Sequence, residues 1–512
     1  MALASTSSLH NLPLPSCKKN TLLTPHASQL NESTTVVHPP LHHHRSSSSV
    51  NLPTPLSNLL HLNPNPNPNP KPTTTNSNPH NFPNPSTAIT PTYSPREDIS
   101  FLCPQLHGFS DWSPLLDPLH PHLRREVLKY GEFSQATYDA FDFNPFSPYC
   151  GSCLYGRNKF VDKLGLARHG YGVTKYLYAM SHVELPLWLE RSFHGEAWSK
   201  DSNWMGYVAV SGDEESRRIG CRDVVVAWRG TVATAEWLED LQGRLELLGP
   251  EHGDAKVEHG FHSIYTSKSE ATRYNKSSAS EQVMAEIQRL VTHYRQKGEK
   301  VSLTITGHSL GGALALLNAY EAASSIPDLP VSVISFGAPR VGNEAFAEKL
   351  KEAKVKPLRI VVKQDVVPKL PGILFNEGIK KLESLTGTLE WIYTHVGLEL
   401  GLDVKSSPYL KKNGLDIPGY HSLETYLHLV DGYLSSDKEF RSNAKRDVAL
   451  VNKATGMLRD ELRIPACWSQ QANRGMVCNS YGRWEMPKRE QEDIPSPLGG
   501  SSGGIGQVIF ER

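Results

Sequence analysis

The pentapeptide Gly307-His308-Ser309-Leu310-Gly311 constrains this chain more than any other feature. Val301-Ser302-Leu303-Thr304-Ile305-Thr306 precedes it with the β-branched, apolar character of a strand, and Gly312-Ala313-Leu314-Ala315-Leu316-Leu317 follows it as helix-forming sequence. A strand that becomes a helix over so few residues forces the central serine into strained backbone angles, and glycines on either side remove the Cβ atoms that would clash. Ser309 is thereby carried to the carboxyl edge of a sheet. Its Oγ lies at a helix N-terminus, where free N–H groups and the positive end of the helix dipole favour a developing oxyanion. The surrounding pattern agrees with such a sheet. Residues 204–210, 223–228, 301–306, 331–336 and 358–362 read as strands, while Val283, Ile287, Leu290, Val291 and Tyr294 recur at helical spacing between two of them. Strands alternating with helices predict a largely parallel α/β sheet.

A serine at neutral pH needs a base to take its proton, and that base needs a carboxylate to orient it. In α/β-hydrolases the order along the chain is serine, acid, histidine, so both partners are sought after residue 309. Asp365 follows the strand 358–362 within Lys363-Gln364-Asp365-Val366-Val367-Pro368, where a strand-end loop can aim its carboxylate at the site. Asp403 and Asp416 are the other aspartates before the candidate histidines, and neither follows so clear a strand. For the base the candidates are His395, His421 and His428. His421 is preferred because it lies in a loop before a helix, with the freedom to reach the serine, whereas His428 lies about two turns inside that helix. His308 points away from the site on the elbow and reads as a packing residue. The oxyanion would be held by the backbone N–H of Leu310 and that of Thr231, which ends the strand 223–228 in Trp228-Arg229-Gly230-Thr231.

Composition bounds the rest. The chain has 512 residues with 53 basic and 53 acidic side chains, a balance that conceals an uneven distribution. Residues 1–96 hold five Lys/Arg and a single acid, Glu32, leaving 48 basic against 52 acidic groups beyond them. That remainder lacks the broad basic field that draws proteins to DNA or RNA, so nucleic acid is not an expected partner. Residues 1–96 also contain 17 of the 37 prolines and few apolar side chains, too few to offset the entropy of ordering. The start Met1-Ala2-Leu3-Ala4-Ser5, followed by hydroxylated and nearly acid-free sequence, fits an organelle leader, plastid first and mitochondrion or a plain tail second. No apolar run approaches the ~20 residues that span a bilayer, so membrane contact is expected to be peripheral. Seven scattered cysteines form no disulfide framework, and the one CxxC, Cys150 to Cys153, is weak evidence for a metal or redox centre. The chain divides by composition into a leader and linker over 1–96, a mainly helical extension over 97–200, the catalytic core over 201–440 and a C-terminal extension over 441–512.

In series, Trp228-Arg229-Gly230-Thr231, His259-Gly260-Phe261, Gly307 to Gly312, Phe336-Gly337-Ala338-Pro339-Arg340-Val341-Gly342-Asn343 and Asp365-Val366-Val367-Pro368 resemble the class 3 lipase family in its usual order. The stretches 130–141 and 201–210, with Gly482-Arg483-Trp484 and Asp493-Ile494-Pro495-Ser496-Pro497, are similar to the plastid class I phospholipases A1 of plants, gamma-type. The resemblance covers roughly residues 97–500 and implies an α/β-hydrolase fold with a mostly helical N-terminal extension. It also implies cleavage of the sn-1 acyl ester of glycerolipids such as phosphatidylcholine, with galactolipids and triacylglycerol as further substrates, without metal or cofactor. Ser309, Asp365 and His421 fall on that family's triad positions.

A lipid substrate adds the need for an interface, at a membrane or a lipid droplet. Trp237, Leu238, Leu241, Leu245, Leu247 and Leu248, interrupted by Glu236, Glu239, Asp240 and Arg244, read either as an amphipathic lid or as an ordinary surface helix. The region 370–402, with Trp391, Ile392 and Tyr393, is a second candidate membrane contact. Three other classes stay open: a galactolipid-preferring hydrolase, a soluble esterase, and a lipase-like scaffold that binds protein without hydrolysis.

Overall fold

The computed structural model describes residues 97–109, 112–144, 147–180, 202–231, 244–371, 392–412, 416–470, 476–485 and 488–495. Its frame is a seven-stranded sheet in the order β1-β2-β3-β6-β7-β8-β9. These strands are Tyr171–Ala179 (β1), Asn203–Ser211 (β2), Arg222–Trp228 (β3), Val301–His308 (β6), Val331–Phe336 (β7), Lys356–Val362 (β8) and Leu398–Leu402 (β9). The first three pair antiparallel and the remainder run parallel from β3 onward. A small hairpin of Leu245–Leu247 (β4) and Lys256–Glu258 (β5) stands apart.

The inner parallel strands β3, β6, β7 and β8 are buried on both faces, and alternation along β3 sorts its side chains between two cores. Val225 and Ala227 join one cluster with Leu123, Val127, Tyr130 and Phe133 of the helix Pro121–Asp139 (α1) and with Leu427 and Val430 of Leu423–Gly432 (α6). Val224, Val226 and Trp228 join the other, with Phe261 of His259–Thr266 (α2), Val283, Ile287 and Leu290 of Ala279–Gln296 (α3), Ala313 and Leu317 of Leu310–Ser325 (α4), and Phe346 and Leu350 of Glu344–Glu352 (α5). Each large apolar side chain withdrawn from water in this way contributes about 1.5–3 kcal/mol before entropy is counted. The ends of α3 are set by sequence: Ser278 and Glu281 close a capping box around its first turn.

All five strands read from the sequence are present, 331–336 with the bounds read and the other four longer by one or two residues. Two strands of the seven-stranded sheet escaped that reading. The segment 97–200 supplies the long helix α1 but also β1, whose Tyr, Val, Thr and Leu residues suit a pleated surface and pair with β2 along the sheet edge. The extension is therefore a contributor to the sheet as well as a helical layer. The strand β9 lies inside the region singled out for membrane contact, and Ile392 and Tyr393 just before it are buried. These two side chains are core residues; Trp391 lies outside the described residues.

One buried carboxylate joins the layers. Asp223 in β3 is fully enclosed and accepts hydrogen bonds from the Tyr130 hydroxyl of α1 (2.8 Å), the Tyr171 hydroxyl of β1 (2.8 Å) and the Thr304 hydroxyl of β6 (2.9 Å). Burying an ionised carboxylate is tolerable only with this number of donors. Among the described residues, no helix is long and apolar enough to cross a membrane.

Candidate active site

The strand β6 ends at His308 and α4 begins at Leu310, which leaves Ser309 alone to make the turn. Its φ of 59° and ψ of −128° lie in a region that costs a side-chain-bearing residue about 1–3 kcal/mol. The surroundings hold it there: the Ser309 N–H donates to the Phe336 carbonyl at the end of β7 (2.9 Å), and the Ser309 carbonyl accepts from Gly312 N–H (2.9 Å). Leu310, as the first residue of α4, carries one of the four amides with no acceptor inside the helix.

Asp365 sits on the loop after β8 and is 1% exposed. Its Oδ1 accepts from the Val367 N–H (2.9 Å), and its Oδ2 takes two short hydrogen bonds, one with His421 Nδ1 and one from the Tyr426 hydroxyl, each 2.6 Å. The chain thus brings Asp365 and His421 together as expected and adds Tyr426, one turn into α6, as a second clamp on the same oxygen. Tyr426 also accepts from the Val362 N–H (3.2 Å), which ties the clamp to the end of β8. Burial and the adjacent Asp365 charge hold the Tyr426 hydroxyl well above the usual tyrosine pKa, so it remains a donor. Gly337, with φ of 57°, lies under this group. A Cβ there would stand 2.9 Å from the Tyr426 hydroxyl, 3.1 Å from Asp365 Oδ2 and 3.2 Å from His421 Cε1, which accounts for glycine after Phe336.

Among the described residues, the buried Ser309 Oγ, His421 Nε2 and Thr231 Oγ1 have no hydrogen-bond partner. Buried groups of this kind are ordinarily satisfied, and these three belong to the residues that the sequence marks as candidate nucleophile, candidate base and candidate oxyanion donor. The end of β3 is itself fixed by Arg229, whose guanidinium donates to the carbonyls of Trp204 and Gly230 (2.9 Å each) and lies 3.9 Å over the Phe141 ring. Burial pulls its pKa down to about 10. Gly230 presses on the elbow, where an added Cβ would stand 2.6 Å from the His308 carbonyl and 3.3 Å from Ser309 Cβ. Thr231 follows it directly.

His308 does more than pack. Its Nε2 bonds to the carbonyl of His421 (2.7 Å), so that nitrogen carries the proton, and its Nδ1 meets the Tyr138 hydroxyl of α1 (2.7 Å). Burial and the neighbouring His421 hold its pKa well below the usual histidine value, consistent with this neutral tautomer. Neither Tyr138 nor Tyr426 was singled out from the sequence as a site residue. A lone tyrosine inside an amphipathic helix carries no signal that separates it from core.

The discounted candidates have structural posts. His428 bonds Ser407 (2.9 Å) and stacks on Phe440; His395 bonds the Pro368 carbonyl (2.7 Å). Burial lowers their pKa values to about 4 and about 3. Asp403 pairs with Gln364 and the Lys405 N–H, and Asp416 caps the turn Ile417–Tyr420. Cys150 and Cys153 are free and buried, with thiols pushed up to about 12, a poor setting for redox chemistry. Of the lid candidate, 236–243 lies outside the described residues; Leu245 is buried in β4 while Leu247 is exposed.

The family model for class 3 lipases matches residues 225–375. The chain is 46% identical over 408 residues to the chloroplastic phospholipase A1-Igamma1 of Arabidopsis thaliana, covering 76% of this chain and 78% of that one. It is equally similar to Arabidopsis phospholipase A1-Igamma3 over 407 residues, 75% of this chain and 76% of that one. Phospholipase A1-II 6 of Oryza sativa subsp. japonica is 39% identical over 411 residues, 76% of this chain and 95% of its own length. An α/β sheet with a strained serine at the β6–α4 elbow, a buried Asp365–His421 pair behind it, and these relatives together identify the chain as a member of the class 3 lipases, in the group that includes the plant phospholipases A1.

Proposed function

We propose that this protein is a phospholipase A1, a serine hydrolase that releases the sn-1 acyl chain of glycerolipids at a membrane or lipid-droplet surface and works in the plastid. The observation that carries the reading is the coupled pair His421 and Asp365 behind a strained, unpartnered Ser309. The relatives named phospholipase A1 and chloroplastic support the substrate class and the compartment.

In this reaction His421 Nε2 removes the Ser309 proton as Oγ attacks the ester carbonyl. Asp365 fixes the imidazole with Nδ1 protonated and stabilises the cation that forms. The carbonyl oxygen becomes an oxyanion held by the Leu310 and Thr231 N–H groups, each such donor being worth about 2.7–4 kcal/mol in the transition state. His421 then protonates the departing glycerol oxygen, and water, activated by the same imidazole, cleaves the acyl-enzyme. No step calls for a metal or an organic cofactor. The Tyr426 hydroxyl and the Val367 N–H both donate to the Asp365 carboxylate and hold it in place behind the imidazole.

The test uses the full chain and its Ser309→Ala variant on vesicles of phosphatidylcholine with different acyl chains at sn-1 and sn-2. Serine-dependent release of the sn-1 chain is expected. Release of the sn-2 chain alone, or equal release by both proteins, would overturn the reading. Parallel vesicles of monogalactosyl diacylglycerol separate a galactolipid preference, and a soluble short-chain ester separates a plain esterase.

A further inference from the structure

Away from the lipase site, three side chains from distant parts of the chain converge. Cys103 lies on the short helix Cys103–Leu106, His107 follows it, and Cys221 immediately precedes β3. The two sulfurs are 3.4 Å apart in a thiol–thiol hydrogen bond, and the ligand-bearing atoms of all three residues lie within 4.8 Å of one another. Cys221 also meets the Ser302 hydroxyl (3.2 Å), and the buried His107 Nδ1 has no hydrogen-bond partner among the described residues.

The two thiols are unequal. Cys103 is partly exposed whereas Cys221 is 8% exposed. The hydrogen bond shared with Cys221 outweighs partial burial and holds the Cys103 pKa below the ordinary thiol value. The same bond, with burial, pushes Cys221 up. At His107 burial opposes a positive charge, but Cys221 and the carboxylates of Asp223 and Glu126 outweigh it and raise the imidazole pKa. An accessible, acidified thiol in contact with a buried, protonated one and a neighbouring base is the arrangement that thiol–disulfide exchange requires.

We propose that Cys103 and Cys221 form a reversible disulfide that fastens the N-terminal segment to the start of β3. The Cys103 thiolate attacks one sulfur of an oxidised low-molecular-weight disulfide, forming a mixed disulfide and expelling one thiolate. Cys221, giving its proton to His107, then attacks the Cys103 sulfur and expels the second thiolate. Two protein thiols and one external disulfide become one protein disulfide and two external thiols, the protons ending on the released thiols. A dithiol reductant runs the sequence backwards.

The closed loop runs from residue 103 to 221, long enough for a large restriction of the unfolded chain. Cys221 stands at the end of β3 opposite Thr231, so the bond bears on stability and leaves turnover unchanged. Full-length protein is equilibrated with oxidised glutathione or with dithiothreitol, unfolded, alkylated and digested. In the oxidised sample we expect a peptide pair cross-linked between Cys103 and Cys221, and a melting temperature higher by roughly 5–10 °C. Dithiothreitol reverses both, and Cys103→Ser, at the partly exposed position, abolishes both while keeping wild-type turnover. Cys150→Ser leaves the response intact. Four results would overturn the proposal: both cysteines alkylated after oxidation, glutathione on Cys103 without the cross-link, a cross-link with unchanged melting, or stoichiometric zinc in the purified protein that Cys103→Ser removes. The last would make the cluster a metal site.

Discussion

Gly230→Ala tests whether the oxyanion strand end and the nucleophile elbow are held in direct contact. The added Cβ would stand 2.6 Å from the His308 carbonyl and well inside contact of the Tyr138 hydroxyl. The hydroxyl terminates a side chain and can swing aside. The carbonyl belongs to the elbow, whose next residue is Ser309. To restore an ordinary 3.4 Å contact it must withdraw by about 0.8 Å, or the Gly230–Thr231 turn must retreat by the same distance. Either movement changes the spacing between Oγ and the oxyanion donors, and misplacement of reacting groups by about 1 Å costs on the order of 10²-fold in rate. We therefore expect kcat to fall by roughly 30- to 100-fold, with a melting temperature lower by a few °C from overpacking worth about 1–3 kcal/mol. Initial rates on vesicles, titration of Ser309 with a fluorophosphonate and a thermal melt measure the three quantities. Gly230→Ala/Tyr138→Phe removes the hydroxyl clash but leaves the carbonyl clash, so it regains part of the melting temperature and little of the rate. A Gly230→Ala protein with kcat within about threefold of wild type would refute the argument, because the displacement would then have been absorbed elsewhere.

Tyr426→Phe removes a charge-assisted hydrogen bond to buried Asp365, and its loss should lower unfolding free energy by about 1.5–3 kcal/mol; denaturant unfolding with an unchanged midpoint would contradict this. Glu132, between His169 (2.7 Å), Arg168 (2.5 Å) and Arg446 (2.9 Å), is held down to about 2 although burial alone would raise it. Because its folded pKa lies below the unfolded 4.5, its contribution is complete above pH 4.5 and lost as pH falls towards 2. The melting-temperature gap between wild type and Glu132→Gln should accordingly be widest near neutrality and close progressively below pH 4.5; a gap independent of pH would exclude the ionic origin. If residues 236–243 act as a lid, Trp237→Ser/Leu238→Ser/Leu241→Ser should abolish the rate increase at lipid aggregates while preserving hydrolysis of a monomeric ester. Substitution is preferable to deleting 236–248, which would remove buried Leu245 from β4.

What could be read from sequence was what repeats or what chemistry spells out locally. The strands read at 301–306 and 331–336 announce themselves because Val, Leu, Ile and Phe are interleaved only with Ser and Thr, small or β-branched side chains that suit a pleated sheet. The elbow is legible because a tight strand-to-helix turn needs glycines at fixed offsets. Asp365 and His421 followed from chain order and loop position, and the structure brings them to 2.6 Å. β9 was missed since Leu398-Glu399-Leu400-Gly401-Leu402 is short and contains a glycine, and β1 since its tyrosines and lysine dilute the apolar signal. Tyr426, Tyr138 and the linking role of His308 were out of reach for a different reason. Their partners lie from 61 to 170 residues away, and a single sequence records no such pairing.

The shared carboxylate of Asp223 has a consequence for the order in which the chain can be built. During synthesis Tyr130 and Tyr171 emerge first and wait for an acceptor 93 and 52 residues downstream, and Thr304 arrives another 81 residues later. Until then α1 exposes an apolar face with no sheet to cover it, and Asp223 on its arrival is an incompletely solvated charge in a half-formed edge. Non-local closure of this kind is slow and leaves sticky intermediates. A nascent or newly unfolded chain of this protein is therefore a natural client for chaperones, and a fragment that starts at residue 201 would inherit the buried carboxyl group with the Thr304 hydroxyl but without those of Tyr130 and Tyr171.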